Sequence, residues 1–104
     1  MKEKRYKLRI LPLFEEKLQE TVDNIAVNLR NPIAAENFVD CVESAIIKRL
    51  ETPEAFEPYH SVKKRNNVYY AIPVKNYLVF YVVIDNVMEV RTLVYAKRDI
   101  TKII

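Results

Sequence analysis

The chain contains no glycine among its 104 residues. Phosphate-binding loops of the Walker and Rossmann kinds need glycine, because only glycine lets the backbone turn sharply and come close to a phosphate. Both kinds of nucleotide site are therefore excluded, and we expect no cofactor. Tight turns must instead be built with asparagine, aspartate, proline or lysine.

Cysteine and histidine occur once each, as Cys41 and His60. A single cysteine cannot form an internal disulfide, which is typical of a protein from a reducing compartment. One cysteine and one histidine cannot supply a usual zinc ligand set, so no metal site is expected. Cys41 is expected to be a small buried hydrophobic residue. His60 lies in a proline-flanked loop without an evident acidic partner, which argues against catalysis.

Long hydrophobic runs are also missing. The longest apolar run, Tyr77–Ile84, has eight residues, which is the length of a strand and far short of a membrane span. The opening MKEKRYKLRI mixes charged and apolar residues and lacks the apolar stretch of a signal peptide. We therefore expect one domain over residues 1–104, located in the cytoplasm and without membrane contact.

Charge is spread unevenly along the chain. Residues 1–59 carry nine basic and eleven acidic side chains, whereas residues 60–104 carry eight and three. Six of the seven tyrosines lie at or after Tyr59. A basic, tyrosine-rich second half suggests an anionic target or an acidic protein partner.

The first half reads as one strand and two helices. Residues 5–11 alternate between basic and apolar side chains, which predicts a half-exposed strand at a sheet edge. Apolar residues at helical spacing predict a helix over 12–29, with a core-facing stripe that ends at Leu29. A second helix is predicted over 32–50, capped by Asn31 and packed against the first as an antiparallel hairpin.

The second half reads as three strands after a loop over 51–67. The strands are predicted over 68–74, 77–84 and 87–95, with turns between them at Lys75–Asn76 and Asp85–Asn86. Alternation in the last strand places Met88, Val90, Thr92 and Val94 towards the helices, and Val87, Glu89, Arg91, Leu93 and Tyr95 on a mixed opposite face. The predicted fold is α+β, in the order β-α-α-β-β-β, with a long helical hairpin on one face of a mostly antiparallel four-stranded sheet.

Segment 74–100, VKNYLVFYVVIDNVMEVRTLVYAKRDI, resembles the C-terminal half of the RelE/ParE toxin superfamily. That family has a basic or glycine hairpin, a Tyr-x-apolar-apolar-Tyr strand, an acidic turn, an apolar strand, and a small residue before basic residues and an aspartate. The matching features here are Lys75–Asn76, Tyr77 to Tyr81, Asp85–Asn86, Val87–Tyr95 and Ala96 to Asp99. The opening YKLRILPLFEEKLQETVDNIA also fits the family, so the resemblance covers nearly the whole chain.

The resemblance implies the toxin of a type II toxin–antitoxin module, a growth inhibitor neutralised by a cognate antitoxin, with which it could form a heterotetramer. RelE-like members cut messenger RNA on the ribosome, and ParE-like members inhibit DNA gyrase. The resemblance places the nuclease strand arginine at Leu78 and the nuclease lysines near Tyr70 and Ile72, and no tyrosine follows Tyr95. The ParE-like activity is therefore favoured. An mRNA endoribonuclease and a degenerate antitoxin-binding module without toxicity are the alternatives.

The predicted surface for the target or antitoxin lies at the end of the last strand. It comprises Lys75, Arg91, Tyr95, Lys97 and Arg98, and Arg98 would be catalytic if the protein were a ribonuclease. Some of these residues also have a purely structural interpretation. Lys97 and Arg98 could end a strand in solvent, and Arg91 could form an ion pair across strands.

Overall fold

The computed structural model describes residues 5–59 and 67–97. It confirms the predicted α+β order and the predicted bounds of the second helix and the last two strands. The elements are β1 (Lys7–Ile10), α1 (Pro12–Asp23), α2 (Pro32–Leu50), β2 (Tyr69–Val74), β3 (Tyr77–Ile84) and β4 (Val87–Tyr95).

The first helix is shorter than predicted. α1 starts at Pro12 and ends at Asp23, and a π-helical turn, Asn24–Asn28, replaces the expected last α-helical turns. Two asparagines, which are poor helix formers, bound this turn, and the Asn28 side chain donates a hydrogen bond to that of Asn24 at 2.8 Å. Leu29, predicted to face the core, is instead 65% exposed.

α2 follows the sequence pattern closely. The Asn31 side chain accepts a hydrogen bond from the Ala34 backbone N–H at 3.1 Å, which confirms it as the N-cap. The apolar residues of α2 recur at helical spacing and pack against the sheet, with four of them buried: Ala35, Phe38, Val42 and Ile46.

The four strands lie in the order β1-β4-β3-β2. β1 runs parallel to β4, and the other two pairings are antiparallel. The predicted edge position of β1 is confirmed. Pro73 is exposed on the opposite edge strand, β2, and an edge strand tolerates a proline, which has no backbone N–H to donate.

The main core lies between the helical hairpin and one face of the sheet. Val79 and Tyr81 of β3 and Met88 and Val90 of β4 are fully buried in it. A smaller apolar cluster, centred on Phe80, packs on the helix-free face of the sheet. β3 is therefore buried on both faces, as its continuous apolar run predicts.

A β-bulge in β4 overturns the predicted alternation of that strand. Phe80 pairs with Thr92 but Tyr81 pairs with Val90, so Arg91 is the extra residue in β4. Beyond the bulge the two faces exchange. Leu93 joins the core beneath the helices, and Val94 packs on the helix-free face, the reverse of the prediction for both.

Candidate binding groove

A groove with a volume of about 1010 Å³ opens between the helical hairpin and one end of the sheet. We call it the hairpin groove. One wall comes from α1 and the π-helical turn, including Lys17 and Ile25, and another from the start of α2, including Phe38. The β2–β3 turn and the end of β4 close it with Lys75 and Tyr95.

Three aromatic rings form a row in the hairpin groove that runs from α2 to the end of β4. The ring centroids of Phe38 and Tyr77 are 5.2 Å apart, and those of Tyr77 and Tyr95 are 5.3 Å apart, both in edge-to-face geometry. Such pairs fix the orientation of their rings beyond what burial alone does. The row gives the groove a stiff aromatic wall.

Two of the predicted binding residues line the hairpin groove, Lys75 and Tyr95. Lys97 is exposed in the turn just after β4, where the neighbouring Ala96 N–H donates to the Asn76 carbonyl at 2.8 Å. That bond joins the end of β4 to the β2–β3 turn, so Lys97 adjoins the groove. Arg98 lies outside the described residues, as do His60 and the basic loop residues 63–65.

Arg91 does not belong to the groove. It lies on the helix-free face, as the alternation predicts, but the bulge exchanges the faces after it, so Tyr95 lies on the opposite face, against the prediction. Its guanidinium contacts the Glu89 carboxylate at 2.9 Å, and Nη1 donates to the Tyr69 hydroxyl at 3.0 Å. The ion pair is therefore formed within β4 and not across strands, and only the Tyr69 contact crosses to another strand.

The charge of Arg91 is held by contacts within the sheet. Burial acts to lower the pKa of its guanidinium, but the hydrogen bonds with Tyr69 and Glu89 outweigh burial and raise the pKa. Glu89 is itself buried and is also held by Arg9 at 3.4 Å. Two guanidinium groups thus compensate the charge of one buried carboxylate, as a buried charge requires.

The positions that the resemblance assigns to nuclease residues are apolar packing positions. Tyr70 and Ile72 are buried in the main core beneath the helices, and Leu78 packs against the smaller cluster on the opposite face. None of the three presents a cation towards the hairpin groove.

Sequence reasoning missed the contributions of the helices to the groove. Lys17 and Thr21 of α1 and Asn24 at the start of the π-helical turn follow one another at helical spacing, and they line the groove beside the apolar stripe. That polar row was visible in the sequence. Its position opposite Lys75 was not, because it depends on the angle at which the hairpin crosses the sheet.

Within residues 5–59 and 67–97, no three histidine, cysteine, aspartate or glutamate side chains lie close enough together to hold a metal ion. In the same part of the chain, neither helix has the combination of length and hydropathy that a membrane span requires.

The fold and the open groove, with its apolar wall and polar rim, define a small α+β domain with a candidate binding surface. Residues 8–103 match the family described as the ParE toxin of the type II toxin–antitoxin system parDE. The chain belongs to the ParE toxin family, and this membership implies an antitoxin as partner.

One solved structure shows the same fold over most of the chain. It is described as the chromosomal ParDE toxin–antitoxin system from P. aeruginosa, with a TM-score of 0.68 and 13% sequence identity. The match covers 88% of this chain and 97% of that chain. At this identity the likeness establishes the fold alone. A search of curated protein sequences gives no significant match.

Proposed function

We propose that this protein is a toxin that inhibits DNA gyrase and is neutralised by an antitoxin bound in the hairpin groove. The observation that carries the proposal is the match to the ParE toxin family over residues 8–103. The P. aeruginosa structure named as a ParDE system supports the same reading at the level of the fold.

The make-up of the hairpin groove supports the antitoxin part of the proposal. A peptide segment needs apolar surface to bury and a few polar groups to fix its register. The half-exposed ring of Tyr77, backed by the buried Phe38 and Leu93, supplies the first, and Lys75 supplies a charged group at the rim. Tyr95 and Lys97 complete the proposed contact surface at the end of β4. Arg98 stays a predicted contact, and Arg91 is proposed as a structural residue instead.

Gyrase is favoured over messenger RNA by the apolar positions in β2 and β3. Cleavage by attack of a ribose 2′-hydroxyl needs an acid, a base and cations for the extra phosphate charge. Tyr70, Ile72 and Leu78 occupy the strand positions where the resemblance would place lysines and an arginine, and all three pack in apolar clusters.

The test is to induce the full chain alone in growing bacteria and to follow labelled thymidine and labelled amino-acid incorporation over the first minutes. We expect thymidine incorporation to fall first. Purified chain should then block supercoiling by gyrase in an assay without RNA, and adding the cognate antitoxin, to be sought in the gene next to that of the toxin, should restore it. Chain purified together with this antitoxin is the matched control and should leave supercoiling intact.

Two results would contradict the proposal in different ways. Early loss of protein synthesis with discrete cuts in messages, abolished by Arg98→Ala, would establish the ribonuclease alternative. Unchanged growth, with the antitoxin still bound, would establish a module that binds antitoxin without toxicity. The same purified complex gives the stoichiometry, for which a heterotetramer is the expectation.

A further inference from the structure

Both β-hairpins place a charged residue in the left-handed backbone region. Lys75 has φ 55° in the β2–β3 turn, and Asp85 has φ 57° in the β3–β4 turn. This region costs a non-glycine residue about 1–2 kcal/mol, and glycine and asparagine are the usual occupants. Aspartate tolerates it better than most residues, whereas lysine has no such preference. Lys75 therefore holds the less favourable position of the two.

The order of residues in the β2–β3 turn puts the positive φ on the residue that accepts it less readily. Asn76, directly after Lys75, is of the type that accepts a positive φ readily, yet Lys75 has the positive φ and Asn76 does not. Arg30, with φ 51° before Asn31, is a third charged residue in this region, so the arrangement recurs in this glycine-free chain. Of these three residues, Lys75 is the one that lines the hairpin groove. A strained residue beside a binding surface is grounds for a functional hypothesis.

The charge of Lys75 is uncompensated where it enters the hairpin groove. The other lysine lining the groove, Lys17, is paired with Glu20 at 3.4 Å. Among the residues that the structure describes, none forms an ion pair with Lys75, which is exposed. An occupant carrying a carboxylate would complement this cation, and apolar side chains on the same segment would meet the aromatic row.

We infer that Lys75 determines which partner the hairpin groove accepts, by pairing with a carboxylate on an amphipathic acidic segment of the antitoxin. The inference rests on the proposed function and adds the chemistry of the contact. The turn is suited to this role because the bond between Ala96 and Asn76 ties it to β4, so the ammonium group is presented from a rigid support.

The experiment measures the affinity of the full chain for the cognate antitoxin by titration calorimetry. Lys75→Gly should bind about fivefold more weakly, because it loses one exposed charge pair. Lys75→Glu should bind at least about tenfold more weakly, because it places a like charge opposite the carboxylate. Lys75→Arg should bind like the parent chain. The loss should shrink with added salt, since the Debye length falls from about 10 Å at 0.1 M to about 3 Å at 1 M.

Asp85→Gly is the matched control, because it relieves the same backbone conformation at the opposite end of β3. It should bind the antitoxin within about twofold of the parent chain. Both glycine variants should melt at or above the parent temperature, since glycine accepts the left-handed conformation without steric cost.

The inference is overturned if Lys75→Gly binds like the parent, if both glycine variants weaken binding equally, or if Lys75→Gly melts at a lower temperature than the parent. Failure of the parent chain to bind the antitoxin would remove the antitoxin part of the proposed function together with this inference. The incorporation and supercoiling assays test the gyrase part separately, so the two failures are distinguishable.

Discussion

At the scale of single residues, one hydroxyl group links the sheet to the segment that follows α2. The Tyr81 hydroxyl accepts a hydrogen bond from Arg49 at 2.9 Å and donates one to the Pro53 carbonyl at 2.7 Å. The Arg49 guanidinium also lies 3.5 Å from the centroid of the Phe56 ring. The ring of Tyr81 is fully buried, so this hydroxyl has no water to replace either partner.

Replacing Tyr81 by phenylalanine should lower stability and change its dependence on pH. At pH 7 the free energy of unfolding should fall by about 1–2 kcal/mol, because the Pro53 carbonyl and Arg49 lose a partner. Burial raises the pKa of Tyr81 above the ordinary value of 10.0, and the Arg49 hydrogen bond offsets this only in part. The native state therefore keeps a proton that the unfolded state releases.

The sign of the pH effect follows from that difference. The contribution of Tyr81 is complete below about pH 10 and is lost as the pH rises through the native pKa. Urea unfolding from pH 7 to pH 11 should show the parent chain losing stability more steeply above pH 10 than Tyr81→Phe. Parallel curves for the two chains would show that Tyr81 does not contribute to the alkaline loss.

At the scale of elements, α2 depends on its cap for its starting point. Asn31→Ala removes the acceptor for the Ala34 N–H and should lower the free energy of unfolding by about 1 kcal/mol, measured by urea denaturation. Asn31→Asp keeps an acceptor and is the matched control, expected within a few tenths of a kcal/mol of the parent. An equal loss in both variants would mean that the amide nitrogen, and not the cap, matters.

The elements were largely predictable because each carries its own periodicity. The bounds of α2, β3 and β4 follow from the sequence to within a residue. They are set by the apolar spacing of α2, by the continuous apolar run of β3 and by the paired turn residues. The β4 bulge was not predictable, since Leu93 and Val94 are both apolar and either could face the helices. Only pairing with β3 reveals that Arg91 is the extra residue, and the placement of Arg91 away from Tyr95 follows from it.

The candidate site was predictable only in part, for a similar reason. Lys75 and Tyr95 could be named from the sequence because they flank recognisable strands. Leu29 was assigned to the core because its spacing continues the α1 stripe, but the π-helical turn rotates the chain before that residue. The groove itself arises from the way the helical hairpin packs on the sheet, and no local sequence pattern predicts that packing.

At the scale of the whole molecule, the hairpin groove spans both layers of the fold. An antitoxin bound there would contact helices and sheet together and should stabilise the folded chain. At an antitoxin concentration of 100 times the Kd, binding contributes about 2.7 kcal/mol, which corresponds to a rise in Tm of roughly 10 °C or more. Scanning calorimetry of the chain with and without antitoxin measures this rise.

Tyr95→Ala supplies the control for that measurement, because it removes one ring of the aromatic row at the half-exposed end of β4. The rise in Tm on adding antitoxin should be several degrees smaller for this variant than for the parent. An equal rise in both chains would place the antitoxin elsewhere on the molecule.

The parallel pairing of β1 with β4 has a consequence for how the chain folds as it is made. Arg9 and Glu89, which meet across this pair, are 80 residues apart in sequence. The ribosome therefore releases β1 long before β4 exists, and β4 is the strand that β1 neighbours among residues 5–59 and 67–97. β1 stays without this partner until β4 has been synthesised, so a chain terminated before β4 cannot form the β1–β4 pair.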